Sequence, residues 1–168
     1  TNPPLPGLSG SGSIQIFGNG LNISNNISIL GTGFNGFGAL QSIGTNTYSG
    51  SLTLNGTSSL GASTGSELVI AGGIQQNTTI PNNSQLIKTG AGTVSLQSTL
   101  NTTIPINIQE GTLLVSGRGN LGTGSNGLVS VSTSVATSPA TLALSGGKTI
   151  SNRTLSLDGL GVASAGAL

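Results

Sequence analysis

Apolar and polar residues alternate in short bursts along nearly the whole chain. The bursts are Ile14-Gln15-Ile16, Ile27-Ser28-Ile29, Leu52-Thr53-Leu54, Leu68-Val69-Ile70, Val94-Ser95-Leu96, Ile106-Asn107-Ile108, Leu113-Leu114-Val115, Val129-Ser130-Val131, Leu142-Ala143-Leu144 and Leu155-Ser156-Leu157. A period of two puts the aliphatic side chains on one face of an extended segment and Ser, Thr or Asn on the other, which predicts a half-buried strand at each burst. The bursts stop at Gly, Asn or Ser, residues that accept positive φ or bond locally to the backbone and so favour turns. No window carries apolar residues at helical spacing, and Gly, Ser, Thr and Asn all disfavour helix interiors. The expected class is all-β with little or no helix.

Short strands between tight turns fit a sandwich, a barrel or a solenoid. An internal repeat favours the solenoid. Ile150-Ser151-Asn152 repeats Ile23-Ser24-Asn25, Gly166-Ala167-Leu168 repeats Gly38-Ala39-Leu40, and Gly159-x-Gly161 answers Gly31-x-Gly33. The offset is 127 residues at the front and 128 at the back, so one inserted residue separates the copies. Self-similarity at fixed spacing marks stacked architectures. The chain divides into a Pro/Gly/Ser-rich lead-in over 1–13, the end of a preceding module over 14–40, and one full module of about 128 residues over 41–168. At ~20 residues per coil the expectation is roughly eight coils around a thin aliphatic core.

Composition sharpens this picture. The chain has 168 residues, 29 of them Gly, with 34% hydrophobic, 2% aromatic and 4% charged residues. Sandwich and barrel cores usually need several large aromatics, and three Phe and one Tyr are a thin supply. A positive mean hydropathy of +0.22 and regular alternation argue against disorder despite the Gly/Ser/Thr/Asn content. A net charge of +1 leaves no electrostatic footprint for nucleic acid or for an anionic membrane. No apolar run reaches the ~20 residues of a spanning helix, so no membrane insertion by this segment is expected. The chain begins at Thr1 without a signal peptide and reads as processed or cut from something longer.

Candidate chemistry is sparse. With no His and no Cys, Ser/His/Asp and Cys/His nucleophile arrangements and His/Cys metal sites are unavailable. The acids are Glu67, Glu110 and Asp158, and a carboxylate pair would require the fold to bring two together. A single Asp cannot populate a calcium solenoid with one Asp per repeat. Gly31–Gly36, Gly117–Gly122 and Gly122–Gly127 match G-x-G-x-x-G, but a phosphate-binding loop must open a helix, and none is expected. No catalytic residue, cofactor or metal is predicted. Asn-x-Ser/Thr triplets occur at Asn22, Asn26, Asn55, Asn77, Asn82, Asn101 and Asn152; composition alone generates them, and some of these amides are expected to stack coil upon coil. Phe34, Phe37 and Tyr48 are the aromatic candidates for a binding surface, with packing in the core the favoured role.

Leu86–Leu96, LIKTGAGTVSL, closely resembles the repeat of autotransporter passenger domains. So do Glu110–Ser125 and Ala140–Gly161, and Asn46–Asn55, NTYSGSLTLN, has the same style. The resemblance covers Asn46–Leu168, and Ser13–Leu40 through the internal repeat. It implies a right-handed parallel β-helix displayed outside a bacterial cell; the membrane β-barrel of that family is not in this chain. A solenoid exposes an open sheet edge at each end, and stable ones carry polar capping repeats. Gly166-Ala167-Leu168 resembles no cap, since its earlier copy runs straight on into Gln41. The expected role is a non-enzymatic extracellular stalk or fibre segment that self-associates through its ends. An adhesin or glycan-binding module contacting a host surface is the alternative, and a polysaccharide-active enzyme is third.

Overall fold

The computed structural model describes residues 12–79, 84–122, 127–132 and 138–168. Among them the chain forms sixteen strands in parallel sheets wound as a β-solenoid, with no α-helix. The first coil holds β1 (Ile14–Phe17), β2 (Asn22–Ile23) and β3 (Ile27–Gly31). The second holds β4 (Leu40–Ile43), β5 (Thr45–Tyr48) and the start of β6 (Leu52–Ala62). The end of β6 opens the third, followed by β7 (Glu67–Ile70) and β8 (Ile74–Gln76). The fourth holds β9 (Leu86–Thr89), β10 (Thr93–Leu96) and β11 (Leu100–Asn101). Then come β12 (Ile106–Ile108) with β13 (Gly111–Val115), β14 (Gly127–Val131) with β15 (Ala140–Leu144), and last β16 (Arg153–Leu157).

Every strand pairs with its counterpart one coil away, giving three stacks. The first contains β1, β4, the end of β6, β9, β12, β14 and β16; the second β2, β5, β7, β10, β13 and β15; the third β3, the start of β6, β8 and β11. Registered positions in the first stack, Leu40, Leu60, Lys88, Ile108, Val131 and Leu157, fall 20 to 28 residues apart. The coils are therefore longer than expected. About five turns are covered on both sides, with a terminal coil at each end, in place of roughly eight.

All ten predicted bursts are strands, and their alternation sorts inside from outside as expected, with a burial pattern of alternate residues in β7 and β13. In-register stacking lines up inward positions as columns. The second stack places Asn46, Leu68, Val94, Leu113 and Leu142 above one another, each exposed by 1% or less. Each buried Leu or Val in such a column contributes about 1.5–3 kcal/mol through removal of apolar surface from water. The sequence pattern missed β2, β4, β5, β8, β9 and β11, which are short or carry polar residues at inward positions, such as Ser42 and Asn46. Of the lead-in, only Gly12 and Ser13 are among the described residues.

The internal repeat is also a repeat of conformation. Phe34–Gly36 and Val162–Ser164 are single 3-10 turns, preceded by Gly33 at φ 77° and Gly161 at φ 75°. In each, the middle residue takes a left-handed conformation, Asn35 at φ 52° and Ala163 at φ 53°. A Cβ on Gly33 would lie 2.0 Å from the Gly38 carbonyl oxygen, and one on Gly161 would lie 1.6 Å from that of Gly166. That close approach is why Gly recurs in both copies. The floor of each corner matches as well. The Phe34 amide donates to Ser13 Oγ, which donates to the Gly38 carbonyl; the Val162 amide donates to Thr141 Oγ1, which donates to the Gly166 carbonyl. The Ile14 amide meets the Ala39 carbonyl at 2.8 Å, and the Leu142 amide meets that of Ala167 at 2.9 Å.

Candidate functional site

A solenoid corner turns the backbone out of the sheet ladder and leaves carbonyls without strand partners, which cost free energy if buried unpaired. Inward polar side chains meet that need here. Asn46, 1% exposed, stands in the aliphatic column of the second stack. Its Nδ2 donates to the carbonyls of Ile16 and Gly18 at 3.3 and 2.7 Å and to Ser42 Oγ at 3.0 Å, while its Oδ1 accepts from the Leu21 amide. Tyr48, 0% exposed, donates its hydroxyl to the carbonyls of Asn25 and Ser51. Burial raises the Tyr48 pKa above its ordinary value, opposed by a backbone hydrogen bond from Ile27.

Lys88 is the strongest case. It occupies the inward column of the first stack, between Leu60 and Ile108, and is 1% exposed. Its stem fills an aliphatic position, and its Nζ donates to the carbonyls of Thr89, Gly90 and Glu110 at 3.0, 2.6 and 2.8 Å. Three acceptors match the three donors of an ammonium. Burial nevertheless lowers its pKa to about 7, with the Glu110 charge pulling the other way. The sequence pattern did not predict β9, and nothing in it told an inward Lys from an outward one.

Arg153 closes another corner. Its guanidinium donates to the Ile104 and Thr102 carbonyls at 3.0 and 3.2 Å, and its Nε has no partner among the described residues. Burial lowers its pKa. The bare backbones of Gly122 and Gly127 make room for it, since a Cβ at either would fall within 2.0 Å of a guanidinium nitrogen.

The acids are dispersed over different elements. Glu67 opens β7 between Thr45 and Thr93, Glu110 precedes β13, and Asp158 follows β16. No group of three or more His, Cys, Asp and Glu gathers among the described residues. The G-x-G-x-x-G stretch at Gly31–Gly36 ends in the three-residue 3-10 turn, too short to aim a helix dipole at phosphate. The stretch Gly122–Gly127 lies partly outside the described residues. Lys148 donates to the Gly117 carbonyl.

The aromatic residues divide. Tyr48 is in the core, but Phe34 and Phe37 are 61% and 49% exposed, which corrects the expectation that they pack inside: the repeated corner carries them on a turn whose outer face meets solvent. Phe17, at the end of β1, is 77% exposed and was not singled out from the sequence. Coil-to-coil amide stacking is present at Asn77, whose Nδ2 donates to Asn55 Oδ1 at 3.0 Å, and in the series Gln15, Gln41 and Ser63 at 2.9 and 3.2 Å. Asn22, Asn26, Asn101 and Asn152 are exposed, and Asn82 lies outside the described residues.

The first and last coils both carry exposed apolar side chains. Ile14, Phe17, Leu21 and Leu30 are exposed in the first coil, and Leu144, Leu157, Leu160 and Leu168 at the other end. No helix among the described residues is long and apolar enough to cross a membrane. Compared with known proteins, the chain matches no family model, no curated protein and no solved structure.

Proposed function

We propose that the chain is a non-enzymatic structural solenoid, a stalk or fibre segment of a bacterial surface or secreted protein of the autotransporter passenger type, which stacks end to end. The observation that carries this reading is that the first and last coils each have a strand edge with no partner strand among the described residues, beside several exposed aliphatic side chains. Inward polar residues fill corners and coil-to-coil ladders, and the three carboxylates lie at separate elements. Such a rod resists pulling and proteolysis through continuous backbone ladders. Light scattering over a concentration series, with negative-stain imaging, tests it: growing elongated particles are expected, and a strictly monomeric species at high concentration ends it.

A second reading is favoured by a specific observation. Phe17, Phe34 and Phe37 are all exposed within the first coil and the corner that closes it, and exposed aromatics suit glycan or protein contact. Binding on a glycan array that is lost in Phe34→Ala and Phe37→Ala would establish an adhesin, and an empty array would leave the structural role alone.

A further inference from the structure

The repeated corner occurs at two heights in the solenoid, and the described residues cover only one of them. Ile16, Ile29 and Leu40 are 3%, 5% and 0% exposed, whereas Leu144, Leu157 and Leu168, each 128 residues later, are 37%, 44% and 56% exposed. The cover over the first three comes from the next coil. Ile16 lies beside Ser42, Ile29 beside Leu54, and Leu40 beside Leu60. Beneath the two corners the hydrogen bonds match, with Thr141 standing where Ser13 stands and Leu142 where Ile14 stands. The difference between the copies lies above them: the first has a parallel coil there, and the second has none among the described residues.

We propose that the rim formed by β15, β16 and the corner Gly161–Ala167 is a docking edge for the opening coil of another copy of the module Gln41–Leu168. Residues Gln41–Leu60 of that copy cover Leu144, Leu157 and Leu168 as the same residues here cover Ile16, Ile29 and Leu40. This rests on the reading of the chain as a stacking solenoid and names the chemistry of the partner: a parallel strand that begins with Gln41-Ser42-Ile43. The small Ser42 lets the strand settle over a leucine, and Leu54 and Leu60 supply the apolar lid.

The register carries a consequence for display. β1 belongs to the first stack, but its counterpart β15 belongs to the second, and likewise β3 belongs to the third and its counterpart β16 to the first. One module therefore advances by whole turns plus one face. The added copy begins on the second stack, with its Gln41 beside Ala143. A surface column such as Gln15, Gln41 and Ser63 reappears one face further round in each successive module, and three modules return it to its starting face. Whatever a module presents to a partner is thereby offered on every side of the rod.

The test is the full chain extended after Leu168 by a second Gln41–Leu168. In one variant, Ala143→Cys is paired with Gln41→Cys in the added copy. In a control, Gln15→Cys is paired with Gln41→Cys in the first copy, where the native side chains bond at 2.9 Å. A short thiol cross-linker is expected to join both pairs to a similar extent, the extended chain is expected to unfold in one transition, and Leu160–Leu168 amides are expected to gain exchange protection over the 168-residue chain. Cross-linking of the control alone or a separate transition for the added copy would overturn the proposal. Filaments from the 168-residue chain without the Ala143 cross-link would sink this inference only. The cross-link with a strictly monomeric 168-residue chain would sink end-to-end assembly and leave the docking edge standing.

Discussion

Lys88→Met is the most informative single perturbation, because it removes the one ammonium held in the inward aliphatic column of the first stack. In the unfolded chain Lys88 keeps its proton up to its ordinary value of 10.5, while in the folded chain burial lets it go near 7. Between those values the unfolded state binds more protons, so stability rises with pH across that window and is flat below it. Each unit is worth about 1.4 kcal/mol, so raising the pH from 7 to about 9.5 adds on the order of 3 kcal/mol. For a chain of this size that corresponds to a rise in Tm of roughly 6–12 °C. Stopping near pH 9.5 stays below the titration of Tyr48, whose raised pKa acts in the opposite direction. The chain has no His and no Cys to titrate in the window, and an α-amino contribution is common to parent and variant and cancels. The assay is urea or thermal unfolding of both proteins at pH 6, 7, 8, 9 and 9.5. A rising profile for the parent and a flat one for Lys88→Met are expected. A parent profile that is flat or falling, or a variant that rises equally, would refute the assignment of a proton loss to the buried Lys88 amine.

The other expectations concern corners and accessibility. Asn46→Leu strands the Ile16 and Gly18 carbonyls and the Leu21 amide, and should cost about 2–4 kcal/mol in chemical unfolding; an unchanged midpoint would mean the corner relaxes to meet water. Tyr48→Phe loses bonds to Asn25 and Ser51 and should cost about 1–2 kcal/mol, read in the same way. Gly33→Ala forces a Cβ into the Gly38 carbonyl in the first coil, whose inward residues the second coil covers, and should lower global stability by more than about 3 kcal/mol, whereas Gly161→Ala makes the same clash in the last coil, which no described coil covers, and should chiefly speed hydrogen exchange after Leu157. Equal effects of the two would contradict the difference in cover between the two corners. Native-state trypsin should cut first after exposed Arg118 and leave Lys88 intact, as mass spectrometry of the early fragments can check.

Much of the architecture was legible along the chain. Period-2 alternation fixed ten strands and the direction their side chains face, because burial on one side of a pleated segment leaves no other pattern. The repeat of Gly31–Leu40 at Gly159–Leu168 pointed to stacking, and the two copies do form one corner, since Gly33 and Gly161 are required by the same close approach. The tertiary structure decided the rest. Coil length depends on how many residues each corner spends, so a count from an average coil overshot. Whether Lys88, Asn46 or Phe34 lies inside depends on which carbonyls a corner leaves unpaired and where the next coil passes, and those neighbours are 20 or more residues away in sequence. Local pattern sets which way a side chain leaves the strand; only the stacked coils determine what it meets there.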